Sequence, residues 1–230
     1  MEHEWVVDSV LLSREFDCPV KSIWRRETDL QCGRFKPISA HYLRAAEDES
    51  SDITCWQHRI VSDEPLAHSD PYRYKKGEFW PGNSGPGAGT IYDFPNIQAE
   101  VIKQEVSARL SPLRGVGVTP NKFASESFID DIARLKGLDP LEFRMKLLHK
   151  NPLAQHVLRT VAEMADWGKK SGVGVSFIES SGTLLGTIAE VSVDQKTGLV
   201  SVLNVWATID AGIAIQPNNI IGQLQGAIVY

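Results

Sequence analysis

The sequence has few cysteines, no long apolar run and no basic stripe, and each shortage excludes a class of protein. Cys18, Cys32 and Cys55 are too few and too widely spaced for a disulfide framework or a Cys-x-x-Cys site, so we interpret them as reduced thiols. No stretch approaches the roughly 20 apolar residues that cross a bilayer, which predicts no transmembrane segment. The net charge of −5, from 24 basic and 29 acidic side chains, argues against nucleic acid as a partner. The 230 residues, 42% of them hydrophobic, are typical of a globular chain with a substantial core.

Apolar periodicity and proline positions divide the first part of the chain into a helix and several strands. Residues 4–16 carry an apolar stripe at helical spacing, and Pro19 prevents the helix from continuing. The β-rich segment 20–24 predicts a strand directly afterwards. Two longer strand candidates, 34–47 and 53–62, are joined by a polar turn and predict a hairpin.

The middle of the chain predicts three consecutive helices, at about 120–136, 140–150 and 152–166. Each begins with a capping side chain followed by a proline whose missing N–H is not needed there. These pairs are Thr119-Pro120, Asp139-Pro140 and Asn151-Pro152. After Gly172 the apolar period changes to two, which predicts strands up to about residue 208, and a further helix begins at Pro217.

Several motifs of known chemistry are incomplete. The glycine-rich segment 82–89 lacks the Gly-Lys-Ser/Thr ending of a phosphate loop, so we interpret it as a flexible surface loop. Ser176 lies in Gly-Val-Ser-Phe-Ile, where Ile178 replaces the second glycine of a nucleophile elbow, which leaves a serine hydrolase as a weakly supported alternative. The six histidines show no metal-ligand pairing at i and i+4, so we interpret them as surface or packing residues.

Residues 111–120 form the segment best suited to binding a ligand. Gly115 and Gly117 let backbone N–H groups approach an anion, and Arg114 adds a permanent positive charge with a fork of donors. A predicted helix N-terminus lies just beyond. A plain turn before a helix is the alternative for this segment taken alone. Gln223, in the last helix, presents one acceptor and two donors, and a solvated glutamine is the alternative there.

Two segments together carry a family resemblance. The first contains Arg114-Gly115-Val116-Gly117, Pro120, Glu126, Asp130, Gly137-Leu138-Asp139-Pro140 and Arg144, and the second contains Asp210, Gly212, Pro217, Gly222-Gln223 and Gly226-Ala227. Their order and spacing resemble the molybdenum hydroxylases, the xanthine dehydrogenase and aldehyde oxidase family. Within the family, the amino-acid sequences of residues 24–29, 33–37 and 111–114 are most similar to those of molybdopterin-binding large subunits of the isoquinoline 1-oxidoreductase beta-subunit type.

The resemblance implies a fold and an architecture. The expected fold is α+β, with mixed sheets and packed helices that form parts of two molybdopterin-binding domains. Residues 1–168 would be the C-terminal part of the first domain with a helical connection, and residues 169–230 would start the second. Because the family's glycine-rich motif and catalytic glutamate fall before residue 4 and beyond Tyr230, we expect a fragment truncated at both ends and inactive in isolation.

The resemblance also implies a reaction and its cofactors. The expected reaction is hydroxylation of an aldehyde or an N-heteroaromatic carbon with water-derived oxygen. The cofactor would be molybdenum–molybdopterin in the cytosine dinucleotide form. Iron–sulfur clusters usually need four thiolates, so three cysteines place them on a small [2Fe–2S] partner subunit. The alternative is a catalytically inert binding or structural module that retains the fold. The compartment, cytoplasmic or periplasmic, is left open.

The resemblance further assigns site residues. Leu113, Arg114 and Gly115 match the loop that approaches the molybdenum and the pterin, and Gln223 matches a glutamine that hydrogen-bonds the cofactor. Val116 stands where xanthine-oxidising relatives carry an aromatic residue, so a purine substrate is not expected. No catalytic residue and no metal ligand is assigned within this chain. We interpret the family carboxylates Glu126 and Asp130 as helix-surface or helix-anchoring groups.

Overall fold

The structure, a computed structural model, describes residues 4–69 and 84–229, and these residues form an α+β fold with two three-stranded sheets. The described helices are α1 (Glu4–Phe16), α2 (Arg26–Cys32), α3 (Pro65–Ser69), α4 (Val118–Leu135), α5 (Pro140–Leu147), α6 (Pro152–Ala165) and α7 (Pro217–Val229). The described strands are β1 (Ser39–Glu47), β2 (Ile53–Ser62), β3 (Asn96–Lys103), β4 (Val173–Ser180), β5 (Thr183–Val193) and β6 (Val200–Asp210). The predicted α+β class is therefore confirmed. Among the described helices, none is both long and apolar enough to cross a membrane.

The first sheet is mixed. Strands β1 and β2 form the predicted antiparallel hairpin, and Asp48 Oδ1 accepts the N–H groups of Ser50 and Asp52 in its turn. Strand β3, which the sequence pattern did not predict, adds parallel to β2. Strand β1 begins at Ser39 instead of residue 34, because Pro37 has no N–H to contribute to the ladder.

The second sheet is an antiparallel meander in the order β4-β5-β6, and helix α6 packs against it. Gly186 of β5 allows the close approach of the helix. A Cβ atom at Gly186 would lie 3.2 Å from the Cγ1 atoms of Val157 and Val161 on α6. The absence of a side chain at this position thus sets how closely helix and sheet can pack.

Two of the three predicted helix caps are confirmed. Asp139 Oδ1 accepts the N–H groups of Leu141 and Glu142 at the start of α5, and Asn151 Oδ1 accepts the N–H of Ala154 at the start of α6.

The predicted cap at Thr119 is wrong. The Val118 N–H already bonds to the Gly115 carbonyl, so the preceding turn runs into α4 and the helix begins at Val118 after Gly117. Thr119 lies inside the first turn of the helix and caps nothing.

The strand predicted at residues 20–24 is also wrong. This segment forms no ladder, and helix α2 follows it. Its aromatic residue contacts the first helix instead, since Trp24 Nε1 donates to Asp8 Oδ2 at 3.1 Å. An extended segment with high β propensity becomes a strand only where a neighbouring strand supplies hydrogen-bond partners.

One hydrophobic core connects both sheets. Trp56 of β2 stacks on Phe94, with ring centroids 5.0 Å apart, and it also meets Phe128 of α4. The same cluster continues to Phe177 of β4 and Ile188 of β5. Helices α4 to α6 supply the apolar layer between the two sheets, and α4 also carries the residues that position the candidate site.

Candidate cofactor-binding site

A tight turn at residues 113–117 leads into helix α4. The Val116 N–H donates to the Leu113 carbonyl, and the Val118 N–H donates to the Gly115 carbonyl, both at 2.7 Å. These two consecutive hydrogen bonds hold the turn in one conformation.

The backbone of this turn requires glycine at its centre. Gly115 has φ +79°, and a Cβ atom added there would lie 2.5 Å from Thr119 Oγ1. Val116 has φ +40°, a left-handed conformation that a β-branched residue rarely adopts. Strain of this kind persists only where the surrounding contacts over-determine the conformation.

Lys36 fastens the turn from a distant part of the chain. Its Nζ donates to the Arg114 carbonyl at 2.7 Å and to Thr119 Oγ1 at 3.2 Å. A parallel bridge between Phe35 and Leu110 brings Lys36 to this position. The role of Lys36 was not predicted, because a tether between residues 36 and 114 leaves no local pattern.

Arg114 and Gln223 meet in the folded chain. Arg114 Nη2 donates to Gln223 Oε1 at 3.1 Å and to the Gln223 main-chain carbonyl at 3.4 Å. The two residues are separated by 109 positions, and Gln223 lies in helix α7. The fold therefore brings the two predicted binding segments to one place.

The donor set of this pair fits an anionic, heterocyclic cofactor such as molybdopterin. Within residues 4–69 and 84–229, no acidic side chain forms an ion pair with the exposed guanidinium of Arg114. Its charge and its remaining N–H groups are thus available to phosphate or oxo groups. Because Gln223 Oε1 accepts from Arg114, the amide Nε2 can donate to a ring nitrogen or a carbonyl.

All four predicted binding residues lie in this region. Leu113, Arg114 and Gly115 form the turn, and Gln223 contacts it from α7. Their role in cofactor binding stays a prediction.

A buried ionic cluster supports helix α4 behind the turn. Arg144 of α5 is fully buried, and its Nε donates to Glu126 Oε2 at 2.9 Å while its Nη1 donates to Asp130 Oδ1 at 2.6 Å. Glu126 also accepts the Tyr92 hydroxyl at 3.0 Å and the Phe177 N–H at 2.8 Å. Glu126 is thus an anchoring group, because it joins α4 to α5 and to strand β4.

Charges within this cluster shift the pKa values of two members. Burial and the Glu126 carboxylate raise the pKa of Tyr92 well above its usual value. Burial alone would lower the pKa of Arg144, but Tyr92, Glu126 and Asp130 raise it overall. Arg144 therefore stays charged at any pH at which the protein folds, and the cluster has a structural role.

The glycine-rich segment packs against the first turns of helix α4. Gly82 and Asn83 lie outside the described residues, while Ser84 and Ala88 are buried. Asn121 of α4 donates through Nδ2 to the carbonyls of Ser84 and Pro86, both at 2.9 Å. For residues 84–89, the predicted flexible surface loop is wrong, because these hydrogen bonds hold its backbone against the start of α4.

The remaining candidates lie elsewhere. Ser176 faces Thr187 within the β4–β5 ladder, and in the described part of the chain no histidine hydrogen-bonds to it. His58 is a buried packing residue, and its Nε2 lies 3.0 Å from His41 Nδ1.

Comparison with known proteins gives two family matches. Residues 4–148 match a family model described as a molybdopterin cofactor-binding domain, and residues 164–230 match a second model with the same description.

Two curated relatives are similar in sequence. The beta chain of isoquinoline 1-oxidoreductase from Brevundimonas diminuta is 31% identical over 232 residues, which cover 97% of this chain and 30% of the relative. One of the subunits of nicotinate dehydrogenase from Pseudomonas putida is 31% identical over 159 residues, which cover 60% of this chain and 13% of the relative. The chain thus spans less than a third of the length of these relatives.

One solved structure is similar in fold. Quinoline 2-oxidoreductase from Pseudomonas putida 86 superposes with a TM-score of 0.50 at 19% sequence identity. The superposition covers 83% of this chain and 26% of that protein.

Proposed function

The chain belongs to the molybdopterin cofactor-binding family, and from this premise we propose that it forms part of the cofactor-holding subunit of a molybdenum hydroxylase. The contact between Arg114 and Gln223 is the observation that carries the proposal. It joins a glycine-containing turn in the first matched region to a helix in the second. A cofactor held at this contact would be bound from both regions at once.

Residues of the turn and of helix α7 would hold the cofactor in this proposal. Arg114 binds anionic groups through its guanidinium, and Gln223 offers its amide to the heterocycle. Leu113 and Gly115 would contribute backbone groups of the turn to the contact with the cofactor. The bound cofactor supplies the redox chemistry, and this chain's residues orient it. Lys36 is a positioning residue, because it holds the Arg114 carbonyl and reaches the cofactor only through the turn.

The proposed substrate is a small aldehyde or an N-heteroaromatic compound, hydroxylated with oxygen from water. The names of the relatives support this class, since they refer to isoquinoline, nicotinate and nicotine, and one to an aldehyde. Electrons would leave through iron–sulfur clusters on a small [2Fe–2S] partner subunit. The cytosine dinucleotide form of the cofactor and a domain boundary at residues 168 and 169 belong to the same proposal.

Cofactor retention in the complete subunit tests this assignment. Arg114→Ala and Gln223→Ala each remove a hydrogen bond to a charged or polar cofactor group, with an expected loss of about 1.5–3 kcal/mol. That loss corresponds to at least about tenfold weaker retention. Molybdenum content per protein, measured by mass spectrometry after gel filtration, should fall in both variants.

Two exposed residues away from the turn provide matched controls. Arg134→Ala removes an arginine that pairs with Asp131, and Gln104→Ala removes an exposed glutamine. Both variants should keep the wild-type molybdenum content. Unchanged molybdenum in Arg114→Ala and Gln223→Ala as well would rule out the proposed cofactor contacts.

A further inference from the structure

Lys122 of helix α4 is a buried cation whose ammonium group has one hydrogen-bond partner among the residues that the structure describes. Its side chain is only 6% exposed, and Nζ donates to the Gly89 carbonyl at 3.1 Å. An ammonium group has three donors, and within the described parts of the chain no carboxylate oxygen lies within 4.0 Å of this one. Arg144, which is fully buried, has two carboxylate partners. Burial lowers the pKa of Lys122, because removal from water disfavours the charged form of the amine.

Lys122 lines a cleft of about 650 Å³. Apolar side chains form part of its wall, namely Ile91, Val118, Leu153 and Leu184. Thr90, Ser180 and Ser181 add hydroxyl groups, and Gly89 and Gly182 leave open space where side chains would stand. None of the four proposed molybdopterin-binding residues lines this cleft.

The charges of the cleft select the class of ligand. Glu179 also lines it, and its Oε1 accepts the Gly182 N–H at 3.0 Å. The carboxylates of Glu126 and, to a smaller extent, Glu179 partly offset the effect of burial on the pKa of Lys122, although neither forms an ion pair with it. Among the described residues that line the cleft, one cation and one anion leave it near neutrality. A dianion gains about twice the attraction to Lys122 and meets about twice the repulsion from Glu179, but its loss of hydration in the half-apolar cleft costs more than that of a monoanion, so a monoanion is favoured.

We infer that the Lys122 cleft binds a small organic monocarboxylate, with its carboxylate on Lys122 Nζ and its apolar body against Ile91 and Leu153. The ligand supplies a counter-ion that none of the described residues places within ion-pair distance of Lys122, and the half-apolar wall selects a carboxylate over an inorganic anion. The inference does not depend on the proposed molybdopterin site.

Binding of benzoate to the purified protein tests the inference, with benzamide as its neutral isostere and inorganic phosphate as a dianion. Isothermal titration calorimetry should show benzoate binding at least tenfold more tightly than either. In ¹³C spectra of labelled lysine, the pKa of Lys122 should rise on addition of benzoate. Equal binding of benzamide, tighter binding of phosphate or absence of benzoate binding would each overturn the inference.

Three variants complete the experiment. Lys122→Met keeps most of the side-chain volume without the charge and should lose benzoate binding about tenfold or more. Lys146→Met, which removes an exposed lysine paired with Asp52, should bind like the wild type. Glu179→Gln removes the opposing charge and should tighten benzoate binding several-fold. This last variant keeps the inference testable if Lys122→Met fails to fold, and weaker binding by Glu179→Gln would contradict it.

Discussion

Gly115 and Val116 have positive φ values for different physical reasons. Gly115 has no Cβ and adopts φ +79° without steric cost, whereas Val116 at φ +40° carries strain of roughly 1–3 kcal/mol. The contacts of Lys36 with the Arg114 carbonyl and with Thr119 help to hold this conformation. The turn is therefore stabilised from outside, by a residue far away in the chain.

Replacing Gly115 with alanine should destabilise the protein for two reasons. The positive φ alone costs an alanine about 1–2 kcal/mol. The added Cβ also meets Thr119 Oγ1 at 2.5 Å. Gly198→Ala is a matched control, because Gly198 has φ +72° and no atom near the position of its Cβ. Urea unfolding should show a larger decrease in the free energy of unfolding for Gly115→Ala than for Gly198→Ala. Equal decreases would mean that the contact of the added Cβ with Thr119 has no effect on stability.

Single residues of the site were predictable to different degrees. Arg114, Gly115 and the nearby glycine form a local pattern, so the turn could be identified from the chain alone. Lys36 could not, because its role depends on the pairing of Phe35 with Leu110. The burial of Lys122 was likewise beyond sequence reasoning, since lysines usually lie at the surface.

At the scale of elements, the Arg144–Glu126 contact joins helix α5 to helix α4, and through the Phe177 N–H to strand β4. Arg144→Met should leave the Glu126 carboxylate buried without its cation, at a cost of about 3–5 kcal/mol. Guanidinium unfolding measures this loss.

Arg134→Met is the control for this substitution. Arg134 also pairs with a carboxylate, Asp131, but both side chains are exposed. The free energy of unfolding of Arg134→Met should therefore decrease by less than about 1 kcal/mol. Similar losses in the two variants would mean that the buried cluster adds no stability of its own.

Elements were predicted best where their signals are local. Helices α5 and α6 begin at prolines preceded by Asp139 and Asn151, and these caps act within one turn. Strand β3 was missed although polar residues such as Gln98 and Glu100 alternate with apolar ones along it, which is a strand pattern. Its parallel pairing with β2 joins segments far apart in the chain and has no local signal. Residues 20–24 show the converse, since strand propensity without a neighbouring strand produced no ladder.

At the scale of the whole molecule, a histidine pair makes stability depend on pH. His58 donates through Nδ1 to the Ala88 carbonyl, which leaves Nε2 to accept from His41 Nδ1. Burial and the nearby His41, with a smaller effect of Lys122, lower the pKa of His58 to about 4. Burial also lowers the pKa of His41. Protonation of His58 would add a proton at Nε2, and this N–H would then face the N–H of His41 Nδ1.

Stability should therefore fall as the pH falls from about 6.5 towards 4. In this range the unfolded chain binds a proton at His58 with the ordinary pKa of 6.5, and the folded protein does not. The lowered pKa of His58 contributes at most about 3 kcal/mol to the free energy of unfolding, and this contribution is fully present above pH 6.5. Urea unfolding at several pH values measures it. His58→Gln should flatten the dependence and His149→Gln, an exposed control, should not. An unchanged pH profile in His58→Gln would contradict this assignment.

The separation between Arg114 and Gln223 sets an order of events during synthesis. A ribosome adds about 5–20 residues per second, so Gln223 is added roughly 5–20 s after Arg114. The turn at residues 113–117 can form in the nascent chain during that interval, but it has no partner from α7. The contact between Arg114 and Gln223 therefore cannot form before helix α7 has been made. Until then, the nascent chain can offer a cofactor the turn at residues 113–117 but not the glutamine on the opposite side.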